Sequence, residues 1–170
     1  HPLFYTNNGS PYRSASGRPG HQYWQNAASY TVKVRLDEQT HQVAGKVEIT
    51  YTNNSPDDLH FLWLQLDQNL FKPESIGQTV VPLTNSRYGS AGDNFQGGYS
   101  ISHVTKAGKS EEVAHSIHDT RMRVDLPEAL SANGGKVTLS MDFSYTIPQY
   151  GADRTGILET ANGPIYAVAQ

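Results

Sequence analysis

Apolar and polar side chains alternate strictly in three separate segments, and this alternation constrains the fold of the chain more than any other feature. Tyr30, Val32, Val34 and Leu36 share one parity, with Thr31, Lys33 and Arg35 on the other. Val43, Gly45, Val47, Ile49 and Tyr51 repeat the pattern, as do Val137, Leu139, Met141, Phe143 and Tyr145. A period of two places each set on one face of a β-strand and its polar partners on the opposite face. Each apolar set is therefore expected to point inward. Burying a residue of this size is worth about 1.5–3 kcal/mol before conformational entropy is subtracted.

Turn chemistry separates these segments. Asp37 to His41 reads as the turn of a hairpin, Asn53-Asn-Ser-Pro56 ends the second strand, and Asn133-Gly134-Gly135 leads into the strand from Lys136 to Tyr145. Leu59 to Leu66 is apolar on both parities, which predicts a strand in the middle of the core, covered on both faces or crossing the sheet centre. Tyr99, Ile101 and His103, then Val113 to Ile117, then Met122, Val124 and Leu126 read as further short strands. Pro127 to Leu130 is compatible with one helical turn. Residues 71–98 form a long connection rich in Gly, Ser, Asn and Gln, either draped over the surface, functional or partly helical. The sum is an all-β fold: a saddle-like, largely antiparallel sheet or β-sandwich. Residues 1–20 read as a lead-in arm and 21–170 as a single β domain. The apolar segment Pro164 to Gln170 reads as the start of a strand cut short at its C-terminal end.

Composition excludes several classes of function. The 170 residues contain no cysteine, so neither disulfides nor thiolate metal sites are available. Acidic residues (16) slightly outnumber Lys and Arg (13), and the basic residues are scattered. The basic stripe that nucleic acid requires is missing, so no nucleic-acid partner is expected. No apolar run approaches the roughly 20 residues of a membrane span. The compartment is left open, with a periplasmic or secreted setting preferred.

Candidate reactive groups do not assemble into a site. His115 and His118 are the one close histidine pair, but a strand sends residues three apart to opposite faces, and no H-E-x-x-H spacing is present. Histidines 1, 21, 41, 60 and 103 are dispersed. Asp57-Asp58 and Glu111-Glu112 sit beside turn signals and read as solvated charge. Gly89 to Gly92 and Gly97-Gly98 match neither a phosphate-cradling loop nor a dinucleotide fingerprint. Asn8-Gly-Ser10 and Asn53-Asn-Ser55 fit the glycosylation acceptor pattern. Tyr5, Tyr12, Tyr23 and Trp24 offer either a stacking platform for sugars or packing under the sheet edge, and packing is the expectation for Tyr23-Trp24.

The order and spacing of Tyr23-Trp24-Gln-Asn, the Tyr30 to Asp37 strand, Gly45, Asn54-Ser-Pro56 and Leu62-Trp-Leu-Gln-Leu-Asp67 resemble the beginning of the aminopeptidase-N-like zinc metallopeptidases, the gluzincin aminopeptidases. The resemblance implies the N-terminal β domain of such an enzyme, packed on a thermolysin-like catalytic domain absent from this chain. Zinc would belong to that missing domain, with no cofactor here, and peptide substrate would be met only in the full enzyme. In the family a late segment of this domain lends a Gln or Glu to the substrate, and Gln170 is the position that could correspond. The chain lacks the zinc motif and is expected to be inactive alone. The alternative is a free-standing β-sandwich module that binds carbohydrate or protein, and a purely structural β domain is a third possibility.

Overall fold

The computed structural model describes residues 9–80, 95–149 and 155–168. The fold is all-β and antiparallel, with nine strands among the described residues: β1 (Ala27–Asp37), β2 (Gln42–Asn53), β3 (Leu59–Gln65), β4 (Ser100–Lys106), β5 (His115–His118), β6 (Arg121–Leu130), β7 (Gly135–Thr146), β8 (Thr155–Thr160) and β9 (Gly163–Val168). A 3₁₀ turn, Asp67–Phe71, and the five-residue helix α1 (Ile76–Val80) follow β3. The partly helical reading of the connection therefore holds for 76–80, while 81–94 lie outside the described residues.

Strand order is β1-β2-β7-β4 in one sheet and β3-β6-β5 in a second, with β8-β9 as a separate hairpin. The two larger sheets face each other as in a sandwich. Leu139 and Met141 of β7 and Val104 of β4 pack against Leu62, Met122 and Val124 of the smaller sheet, with Leu66 and Val113 filling in. The alternation in β7 thus does what its pattern predicts. At the β1–β2 turn, the Asp37 carboxylate accepts hydrogen bonds from the backbone N–H groups of Gln39 (2.9 Å) and Thr40 (3.1 Å). Those of Thr40 and then Gln39 are the main influences holding its pKa below the usual carboxylate value. Gly45 sits where β1 crosses closely: a Cβ there would meet the Lys33 carbonyl oxygen and lie 2.8 Å from Val34 Cγ1.

The structure corrects several expectations. Tyr30, Val32, Val34 and Leu36 are not buried but 64%, 52%, 60% and 38% exposed. Their strand is the outer edge of the four-stranded sheet, and the cover given by the three-stranded sheet centres on β7 and β4. β3 is covered on one face only: Leu62 and Leu66 are buried, while Phe61 and Trp63 face outward. Pro127 to Leu130 is extended within β6 and makes no helical turn. The β3–β6 register jumps between Leu59 and Phe61, and this irregular stretch accommodates a proline that cannot donate to a ladder. His103 does not follow Tyr99 and Ile101 inward. A register shift between Ser102 and Thr105, with His103 at φ +51°, turns Val104 into the core instead. The apolar segment after Gly163 is a strand, β9, paired antiparallel with β8.

Candidate functional site

The outer face of the three-stranded sheet is the most distinctive surface among the described residues. The register places Trp63 beside Arg123 and Arg123 beside Ser116, with Gln65, Arg121 and His118 forming the next row. Phe61 stands opposite Asp125. Its ring meets Trp63 edge-to-face, with centroids 6.3 Å apart and planes at 83°. The Arg123 guanidinium carbon lies 4.1 Å from the centroid of the Phe61 ring, and Arg123 Nε donates to Asp125 Oδ1 at 2.7 Å. Alternation along β3 and β6 puts these side chains on one face, and the cation–π and ion-pair contacts hold them in place. Trp63 nevertheless stays 55% exposed. Aromatic residues and arginine held rigidly in this way are the residues that dominate binding energy at protein interfaces.

The remaining candidates are scattered over other surfaces. His115 pairs with buried Val124 and His118 with exposed Arg121, so the two rings occupy opposite faces of β5. His115 Nδ1 is hydrogen-bonded to the Val113 carbonyl at 3.0 Å. His103 Nδ1 lies 2.9 Å from Asp142 Oδ2 on the solvent side of β4 and β7. His41 Nδ1 meets the Tyr166 hydroxyl at 3.1 Å, tying β9 to the β1–β2 turn. Among the described residues no three His, Cys, Asp or Glu side chains converge to hold a metal ion. Glu111 and Glu112 line an open cleft of about 390 Å³ with Lys106 and Lys109, across which Lys106 reaches Glu128 at 3.7 Å. Asp58 Oδ1 accepts the Ala132 N–H at 2.7 Å, a structural role. Gln170 lies outside the described residues.

One further expectation changes. Tyr23 and Trp24 are 37% and 41% exposed and do not pack under the sheet edge; with Tyr12, Arg13, Pro56 and Asp57 they line a groove of about 660 Å³. The Arg13 guanidinium covers the Tyr23 ring at 5.1 Å. Asn53 is completely buried, which rules it out as a glycan acceptor in the folded chain. Asn8 and Tyr5 lie outside the described residues. Sequence reasoning missed the Phe61–Trp63–Arg123 surface because both parities of β3 are apolar. The signal that could have found it is Arg121, Arg123 and Asp125, whose parity marks one face of β6 as outward.

No protein-family model matches the chain, and no curated protein matches it.

Proposed function

We propose that this chain is the non-catalytic N-terminal β domain of an aminopeptidase-N-like zinc metallopeptidase, shaping the substrate cleft and packing on a zinc-bearing catalytic domain outside these residues. One observation carries the reading: Phe61 and Trp63 stand exposed on a rigid sheet face, braced by Arg123. A contiguous aromatic surface of this kind marks an interaction site. Interfaces between domains of one chain are mixed in polarity, as expected for aromatic rings flanked by Arg121, Arg123 and Asp125. Zinc and the peptide-cleaving groups belong to the partner domain. Gln170 is the residue of this chain that would reach the peptide.

The purified chain is accordingly expected to hold no stoichiometric zinc by elemental analysis and to release no amino acids from peptide substrates. Its reading frame is expected to continue past Gln170 into an H-E-x-x-H segment. One tightly held zinc per chain would refute the assignment.

The groove lined by Tyr12, Tyr23 and Trp24 favours a second reading, a β-sandwich module that binds carbohydrate or protein. That reading predicts a rise in melting temperature with glycans, which the first does not.

A further inference from the structure

We propose that β1 is a self-pairing edge, through which two copies of this chain join their four-stranded sheets into one continuous antiparallel sheet about a two-fold axis at Val32. The inference goes beyond the proposed function and stands independently of it, since it uses the edge of one sheet and not the outer face of the other.

The edges of this fold are unequal. β3 and β4 are seven-residue strands whose ladders are each interrupted by a register shift. β5 has four residues, and β8 and β9 have six each. Short or bulged edges of this kind resist pairing with another chain. β1 has eleven residues, contains no proline, and runs against β2 without a register shift. Among the described residues no strand pairs with its other side. Its exposed row of Tyr30, Val32, Val34 and Leu36 is uncharged, with Lys33 and Arg35 on the opposite face.

The sequence selects a second β1 as the occupant and also fixes the register. Antiparallel pairing centred on Val32 matches Ala27 with Asp37 of the second copy, so that all eleven residues are paired. Tyr30 then faces Val34 and Ala28 faces Leu36, apolar against apolar. On the other face Lys33 meets Thr31 and Arg35 meets Ser29, so no like charges stand opposite each other. Moving the axis to Lys33 would set two lysines face to face, although Lys33 already lies opposite Lys46 of its own sheet. Like charges directly opposite each other are destabilising, and a second lysine pair disfavours that alternative. Moving the axis to Thr31 leaves Leu36 and Asp37 without partners. The resulting contact is isologous, closing at two copies and not extending into a fibre.

Sedimentation of the chain at micromolar concentration should give the mass of two chains. Val32→Lys, a change at an exposed position, should weaken self-association by about tenfold or more, since two like charges replace a Val–Val contact on the axis. An unchanged circular dichroism spectrum and melting curve for the variant would show that its monomer fold is kept. The chain has no native cysteine, so the register can be read by single-cysteine oxidation. Facing residues of an antiparallel pair have Cα atoms about 4.5–5.5 Å apart, within the range of about 4.4–6.8 Å for a disulfide. Val32→Cys should cross-link to its symmetry mate, and Val34→Cys should not. A monomeric wild type, a Val32→Lys variant that associates as well as wild type, or efficient cross-linking of Val34→Cys in place of Val32→Cys would each overturn the proposal.

Discussion

Asn53→Ala is expected to lower the unfolding free energy by about 3–5 kcal/mol, with a fall in melting temperature on the order of 10 °C for a chain of this size. The effect comes from the position of the carboxamide. Its Nδ2 donates to the carbonyls of Asp57 at 2.8 Å, Leu130 at 3.1 Å and Ser131 at 3.1 Å. Its Oδ1 accepts from the Ser55 N–H at 3.1 Å and the Ser55 hydroxyl at 2.6 Å. One side chain at the end of β2 therefore fastens the β2–β3 turn to the end of β6, joining the two sheets. The Gly134 N–H reinforces the junction by donating to the Asn53 carbonyl at 2.7 Å. Alanine would remove the donor and the acceptor together at a side chain that is itself fully buried, and each buried polar group left without a partner costs about 1–3 kcal/mol. Urea unfolding measures the loss directly. A change below about 1 kcal/mol would show that water replaces the carboxamide, contrary to the burial of this residue.

Met122→Ala should cost about 2–5 kcal/mol, the range for truncating a fully buried methionine that leaves a cavity. Met122 stands between Leu64 and Ile117 in the three-stranded sheet and is completely buried in the core cluster. Trp63→Ala removes a larger side chain from the neighbouring position on β3, yet its outward face limits the loss to about 1 kcal/mol or less in this chain. The comparison of the two variants by thermal unfolding establishes which face of the sheet is the core. If Trp63→Ala were the more damaging, the assignment of inner and outer faces would be reversed.

These residues also show how far the fold was legible in the sequence. Alternation located β1, β2 and β7 and fixed the side-chain parity of each, because parity is a local property of extended backbone. It did not reveal which parity is covered, and in β1 the apolar row is exposed: the cover given by the three strands of the opposing sheet among the described residues centres on β7 and β4. β3 misled for a related reason: a strand with apolar residues on both sides looks central, yet here it is an edge whose second face is a surface. The proline in β6 and the left-handed His103 in β4 belong to irregular ladders, and ladder register depends on residues distant in sequence. Asn53 was readable as turn chemistry, but its bonds to Leu130 and Ser131 span more than seventy positions, and no local pattern encodes them. The candidate surface was half legible, since Arg121, Arg123 and Asp125 gave the outward parity of β6. The aromatic half on β3 required the pairing of the two strands.

The central claim is that this sheet face is a docking surface for a catalytic domain, and hydroxyl-radical footprinting read by mass spectrometry tests it residue by residue. The account predicts that Phe61 and Trp63 are readily oxidised in the isolated chain and severalfold protected in the proposed full-length enzyme with its zinc-bearing domain, with Met122 protected in both. Equal oxidation of Phe61 and Trp63 in the two proteins would contradict it.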